Sequence, residues 1–147
     1  MSFFTGEYEC KLDAKGRLVL PARIKSHLPE TTGNELVLRK GFEACLVIYP
    51  LVEYKKIFSK IAGLSEFNEE YRTLQRNFFR GNTTVELDTM GRFVIPKLML
   101  SYSGIDKDAL VIGMGNRIEV WSPTLFEQVM IKDQSELSKL AQKYLDE

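Results

Sequence analysis

The residues with the clearest chemical potential form an aspartate–arginine pair that occurs twice. Asp13 precedes Arg17 by four positions, and Asp88 precedes Arg92 by the same distance. A carboxylate at this spacing can hold a guanidinium in a fixed orientation, and the guanidinium can then donate hydrogen bonds to a phosphate or a guanine edge. An exposed ion pair stabilises a protein by only about 0–1 kcal/mol, so stability alone is a weak reason for this pattern.

Both pairs lie in a repeated segment. Residues 12–24 read LDAKGRLVLPARI and residues 87–99 read LDTMGRFVIPKLM, so a shift of 75 residues aligns six identical residues in thirteen, together with matching apolar positions. We therefore predict two repeats, residues 1–80 and 81–147. A unit of about 75 residues is marginal for an independent core, which favours interlocking of the two repeats.

The segment that joins each aspartate to its arginine also contains a glycine and is typical of a turn. Asp13 with Gly16, and Asp88 with Gly91, place Asp first and Gly last in a four-residue turn. Asp at this position accepts backbone N–H hydrogen bonds, and Gly adopts the left-handed conformation of a bulged hairpin. We assign these four residues a structural role in the two turns.

The flanking pattern predicts short strands and short helices. The first turn is expected to join strands 8–12 and 17–20 in a local hairpin, and Pro21 and Pro96 are each expected to open a short helix. Further strands are expected at 35–40, 45–49, 109–113 and 117–121, and amphipathic helices at 51–61, 67–78 and 137–145. The predicted fold class is α+β.

Cations near the two turns are candidates for contact with nucleic acid. Residues 11–25 hold five cations and one acid, although the net charge of the whole chain is zero. Lys15 lies at the tip of the first turn, where the second turn has Met90, so the first copy is the more basic one. The predicted DNA-binding residues are Lys11, Lys15, Arg17, Arg23, Lys25, Arg92 and Lys97; a solvated surface charge is the alternative for each lysine and for Arg23.

Catalytic chemistry has little support in the sequence. The chain has one histidine, His27, and two cysteines, Cys10 and Cys45, that lack CxxC spacing. The segment 113–115, Gly-Met-Gly, lacks the third glycine and the following helix of a dinucleotide site. We therefore expect no enzymatic activity, no metal site, no cofactor and no small-molecule substrate.

Composition and the N-terminal segment predict where the chain resides. Hydrophobic residues make up 44% and charged residues 27%, as in globular proteins. The segment MSFFTGEYEC lacks the basic region and apolar run of a signal peptide, and no stretch approaches the roughly 18 apolar residues of a membrane span. We expect a cytoplasmic protein with reduced thiols and no membrane partner.

The paired segments resemble the two DxxxR motifs of the MraZ family, within the wider AbrB-like swapped-hairpin group. The resemblance extends over nearly the whole chain. It implies a duplicated AbrB-like swapped-hairpin β-barrel with short flanking helices, in which the two repeats form one pseudo-two-fold unit. It also implies a ring-shaped homo-oligomer that binds short tandem repeats in double-stranded promoter DNA. The expected role is a nucleoid-associated transcriptional regulator of the cell-division and cell-wall gene cluster.

A second function class remains open at this point, namely an oligomeric protein-interaction scaffold ring. The amphipathic segment 137–145, the nine phenylalanines and the six tyrosines would suit grooves that bind partner peptides. Nucleic acid that co-purifies with the protein, measured by the ratio of absorbance at 260 and 280 nm, would separate the two classes.

Overall fold

The computed structural model describes residues 3–30 and 34–145, and it has the predicted α+β class. The strands are β1 (Glu7–Lys11), β2 (Arg17–Val19), β3 (Glu35–Lys40), β4 (Leu46–Pro50), β5 (Thr83–Glu86), β6 (Arg92–Val94), β7 (Asp108–Gly113) and β8 (Ile118–Trp121). The helices are α1 (Ala22–Ser26), α2 (Leu51–Ala62), α3 (Glu69–Phe79), α4 (Lys97–Ser103), α5 (Pro123–Val129) and α6 (Gln134–Leu145).

The strands form two antiparallel sheets that join the first half of the chain to the second. The larger sheet has six strands in the order β1-β7-β8-β4-β3-β5, and the smaller sheet pairs β2 with β6. In the larger sheet β1 pairs with β7, β8 with β4 and β5 with β3, so strands of one half lie beside strands of the other at three places. The two halves therefore share their hydrogen-bonded ladders.

The predicted local hairpin is wrong, although its strands exist. Next to the first turn, an isolated bridge between Leu12 and Leu18 and a hydrogen bond from the Asp13 N–H to the Arg17 carbonyl connect the two segments. Beyond this bridge β1 joins the large sheet and β2 pairs with β6 instead. Packing explains the choice, because Leu18 lies directly opposite Phe93 and both side chains are buried. Pairing across the repeats thus removes two large apolar groups from water together.

The core covers both faces of the large sheet. Along β4, alternate side chains point to opposite faces. Leu46 and Ile48 belong to the main hydrophobic cluster, whereas Val47 and Tyr49 belong to a second, smaller cluster with Trp121. The main cluster also contains residues of β2 and β6, so the small sheet packs on the body of the molecule.

The longer helices differ in how they are packed. Aromatic side chains on α2 and α3, among them Tyr54, Phe58 and Phe78, contact one another between the two helices. α6 has no buried residue, and its apolar side chains Leu140 and Tyr144 are exposed. Among the helices in the described ranges, none has the length and apolar character needed to cross a membrane.

Candidate nucleic-acid interface

The first turn is held together by the carboxylate of Asp13. Its Oδ1 atom accepts hydrogen bonds from the backbone N–H groups of Lys15 and Arg17, each at 2.9 Å. Its Oδ2 atom accepts from Nε of Arg17 at 2.6 Å. Gly16 completes the turn with a φ angle of 76°, in the left-handed region that glycine tolerates at low cost. One carboxylate therefore fixes both the turn and the arginine that follows it.

The second turn repeats this geometry. Oδ1 of Asp88 accepts from the backbone N–H groups of Met90 and Arg92, and Oδ2 accepts from Nε of Arg92 at 2.8 Å. Gly91 also has a φ angle of 76°. The two copies thus present their arginines with the same set of hydrogen bonds, although the residues between aspartate and glycine differ.

Hydrogen bonding also keeps the two carboxylates ionised. The backbone N–H of Arg17 lowers the pKa of Asp13 below its ordinary value, desolvation opposes this, and the Arg17 side chain and the Lys15 N–H lower it further. The pKa of Asp88 is lowered by the equivalent groups, the backbone N–H of Arg92 first. The charged form is favoured because it accepts these hydrogen bonds.

Both arginines lie on one exposed face of the sheet formed by β2 and β6, which we call the ribbon. Arg17 is opposite Val94, and Val19 is opposite Arg92. Because side chains alternate along a strand, these four residues face away from the buried Leu18–Phe93 pair. The ribbon therefore presents two guanidiniums and two valines on the same surface.

The ion pairs leave part of each guanidinium available. In both copies the aspartate carboxylate takes the Nε edge of the arginine. Within the part of the chain that the structure describes, the Nη1 and Nη2 atoms of Arg17 and Arg92 make no hydrogen bond. Two adjacent N–H donors of this kind match the O6 and N7 acceptors of guanine in the major groove.

The two turns close opposite ends of the ribbon. The Gly16 carbonyl accepts from the N–H of Ile95 at 2.9 Å, and the Gly91 carbonyl accepts from the N–H of Leu20 at 3.0 Å. Each turn is thus hydrogen-bonded to a strand end of the other repeat. The distance along the ribbon from Gly16 to Leu20 is roughly 14 Å at ordinary strand rise.

Most of the predicted lysines lie at the first turn. Lys15 and Lys97 line a cavity of about 440 Å³ beside Val94. Lys11 lines a neighbouring cavity of about 500 Å³ with Asp13 and Lys107. Sequence reasoning missed Lys107, which reaches this site because its backbone carbonyl accepts from the Leu12 N–H next to the β1–β7 ladder.

At the second turn the cation comes from the first repeat. Nζ of Lys25, on α1, lies 3.4 Å from the position that a Cβ atom would take at Gly91. Lys25 therefore supplies a positive charge where the second turn has Met90 instead of lysine. Arg23 is exposed on the same helix, and its side chain forms no hydrogen bond or ion pair with either turn within the described residues. Among the predicted cations outside the two aspartate–arginine pairs, Arg23 is the one that neither lines the two cavities at the first turn nor lies beside Gly91 in the described part of the chain.

The described residues contain no cluster of side chains that could hold a metal ion. Over residues 3–30 and 34–145, no three His, Cys, Asp or Glu side chains are grouped so that they could hold a metal ion. The exposed face of the site presents hydrogen-bond donors, positive charges and apolar groups, and the two aspartates hold its arginines in place.

Comparison with known proteins confirms the family resemblance. A family model described as "MraZ protein, putative antitoxin-like" matches the chain twice, over residues 3–77 and 78–147. Several proteins named "Transcriptional regulator MraZ" are similar to it. The one from Cytophaga hutchinsonii is 57% identical over 145 residues, covering 99% of this chain and 96% of that protein.

Two further relatives are less similar, and each matches most of the chain. The protein from Carboxydothermus hydrogenoformans is 35% identical over 97% of this chain and 97% of its own length. The protein from Symbiobacterium thermophilum is 38% identical over 80% of this chain and 82% of its own length. With two family matches that cover both of its halves and relatives of similar extent, the chain belongs to the MraZ family.

Proposed function

We propose that this protein is a sequence-specific DNA-binding transcriptional regulator that inserts the β2–β6 ribbon into the major groove of duplex DNA. The observation that carries the proposal is the position of Arg17 and Arg92 on one exposed face, each fixed by an aspartate and each with two free Nη donors. The major groove is about 12 Å wide and admits a two-stranded ribbon. The names of the relatives support a role in transcription.

The lysines around the ribbon supply the electrostatic part of binding. Lys11, Lys15, Lys97 and Lys107 lie at the first turn, and Lys25 lies at the second. Phosphate contacts of this kind position a protein on DNA without reading its sequence, whereas base-edge contacts by arginine give specificity. A chain of zero net charge can therefore bind DNA through one basic face.

We propose that the functional form is a ring-shaped homo-oligomer on short tandem promoter repeats, in the cytoplasm and on the nucleoid. Its targets would be promoters of the cell-division and cell-wall gene cluster. The apolar side chains of α6, none of which is buried, support association between copies. Several copies on tandem repeats would gain affinity through effective concentration.

The finer fold assignment is part of the same proposal. We assign the fold to the AbrB-like swapped-hairpin β-barrel group, with repeats at 1–80 and 81–147 related by a pseudo-two-fold axis. The pairing of β2 with β6, and of β1 and β5 with strands of the opposite half, supports this assignment.

Selection of bound duplexes from a random DNA pool, combined with size measurement of free and bound protein, tests the proposal. We expect enrichment of short guanine-containing direct repeats at a fixed spacing and a complex that contains several copies. A stable oligomer that enriches no sequence and carries no nucleic acid would reject DNA binding and favour the protein-interaction ring.

A further inference from the structure

We infer that Val19 and Val94 read thymine, by contact with its C5-methyl group, beside the guanines that the two arginines contact. The inference rests on the proposed insertion of the ribbon into the major groove. It adds thymine to guanine as a base that the ribbon reads, and it adds an apolar contact to the hydrogen bonds of the two arginines.

The two valines are exposed in a way that packing does not explain. Val19 is 49% exposed and Val94 is 53% exposed, although the neighbouring residues Leu18 and Phe93 are buried. Single exposed valines are common on protein surfaces and need no explanation. Here, however, both lie on the ribbon face that carries the arginines.

The internal repeat strengthens this observation. Val19 and Val94 occupy equivalent positions in the two copies, 75 residues apart. Other exposed positions of the repeat differ between the copies, for example Lys15 against Met90 and Arg23 against Leu98. Both halves thus keep an exposed valine where surface residues are otherwise free to differ.

The register of the ribbon sets which bases are read together. Each valine is directly opposite an arginine, and such cross-strand neighbours have Cβ atoms about 4.5–5.5 Å apart. Successive bases along a strand of B-DNA are separated by about 3.4 Å. A guanidinium and the valine opposite it therefore reach the same or adjacent base steps, so the predicted half-site contains guanine and thymine side by side, once for each arginine–valine pair.

Thymine is the base that suits a valine in this groove. Its C5-methyl is an apolar group at the major-groove edge, and small apolar side chains recognise it by excluding water. Burial of one methyl-sized group corresponds to an affinity gain of about fourfold. This gain in affinity is smaller than that from a bidentate arginine. The test therefore removes the thymine methyl group alone and leaves the arginine contacts unchanged.

The experiment combines removal of the methyl group with removal of the valine side chain. In a duplex obtained by selection, each thymine is replaced singly by deoxyuridine, which lacks only the C5-methyl. Affinities are measured for the unmodified protein and for Val19→Ala and Val94→Ala. Val129→Ala is the matched control, because Val129 is also about half exposed but lies on α5, away from the ribbon.

We expect deoxyuridine to weaken binding of the unmodified protein about fourfold at two thymines of the half-site, one for each valine. Val19→Ala and Val94→Ala should each lose the same factor on thymine DNA, and each should show no further loss when deoxyuridine replaces the thymine that its valine contacts. Val129→Ala should respond to deoxyuridine as the unmodified protein does. Thermal melting by circular dichroism is expected to show folded protein for every variant, since all three side chains are exposed.

Two other results would overturn the inference and can be told apart. If every deoxyuridine substitution is neutral, or if the two losses are additive, while Arg17→Ala still weakens binding strongly, the ribbon binds DNA but the valines do not read thymine. If no duplex binds and Arg17→Ala changes nothing, the proposed function fails and the inference fails with it.

Discussion

At the scale of single residues, the two aspartates do more than pair with arginines. Asp13 and Asp88 each accept two backbone N–H hydrogen bonds and one from an arginine Nε. Each carboxylate thereby shapes a turn and orients a guanidinium at the same time. A neutral amide at either position could keep part of the turn but would lose the charge that holds the arginine.

The pKa values of these carboxylates lead to a prediction about pH. Both are lowered in the folded protein, so ionised Asp13 and Asp88 stabilise the fold above the ordinary aspartate pKa of about 3.9. This stabilisation is lost as pH falls through the lowered values in the folded state. We expect carboxyl NMR titration to give pKa values below 3.9 for both residues, and Asp13→Asn to remove part of the acid sensitivity of melting.

The lowered pKa values also imply that the two aspartates do not make DNA binding depend on pH near neutrality. Asp13 and Asp88 stay ionised between pH 5 and 8, so the turn geometry is unchanged across that interval. A titration that placed either carboxyl at or above the ordinary value would contradict the hydrogen-bonding account of the turns.

The residue types and spacing contain much of this local chemistry. Aspartate, glycine and arginine at fixed offsets are enough to anticipate a turn with an internal ion pair, because all three belong to one short segment. Lys25 and Lys107 are different. Their positions beside the turns depend on contacts between distant parts of the chain, so the sequence presents Lys25 as one helix cation among others and offers no signal for Lys107.

At the scale of elements, the ribbon depends on the glycine that ends each turn, and the contribution of Gly91 can be compared with that of Gly81, a glycine of similar φ outside the ribbon. Gly91 has a φ angle of 76°, and an added Cβ would lie 3.4 Å from Nζ of Lys25. Gly81 has a φ angle of 77°, and a Cβ there would meet nothing within 4 Å. Both positions therefore resist alanine through backbone strain, but only one of them lies at the ribbon.

We predict that Gly91→Ala and Gly81→Ala lower the free energy of unfolding by similar amounts, about 1–2 kcal/mol each, because an L-residue is strained at positive φ. Only Gly91→Ala should also weaken DNA binding, since the backbone strain then lies in the turn that holds Arg92. Urea unfolding and a DNA titration measure the two effects. Equal DNA affinities for the two variants would argue against a role for the second turn.

Strand locations and strand partners differ in how well the sequence predicts them. The strands at 35–40, 45–49, 109–113 and 117–121 are found close to their predicted limits because alternation and turn residues are local signals. The partner of β2 is not a local property. The two repeats are similar, so pairing within a repeat and pairing between repeats satisfy the same local pattern, and the burial of Leu18 against Phe93 decides between them.

At the scale of the whole molecule, positive charge is concentrated although the total is zero. The fold gathers Lys11, Lys15, Lys97 and Lys107 at one end of the ribbon. This grouping combines lysines from both repeats, so the basic end of the ribbon is not built from the more basic first copy alone. Both ends of the ribbon carry lysine, although the first end carries more.

We therefore predict that DNA affinity falls steeply as salt rises, because lysine–phosphate contacts release bound counterions. The slope of log affinity against log salt should become smaller by about 0.9 for each phosphate contact removed. Lys15→Gln and Lys97→Gln should each reduce the slope by about this amount. Lys60→Gln, an exposed change on α2, should leave it unchanged, and a salt-independent affinity would contradict the electrostatic account.

The most direct test of the central claim measures DNA affinity and oligomer size together for Arg17→Ala, Arg92→Ala and the control Arg23→Ala. Loss of one bidentate guanine contact should weaken binding to the selected duplex on the order of 10- to 100-fold for each ribbon variant. Arg23→Ala should bind nearly as the unmodified protein does, and all three should keep the same size by light scattering. Unchanged affinity in both ribbon variants, with the oligomer intact, would show that DNA is not read by this ribbon.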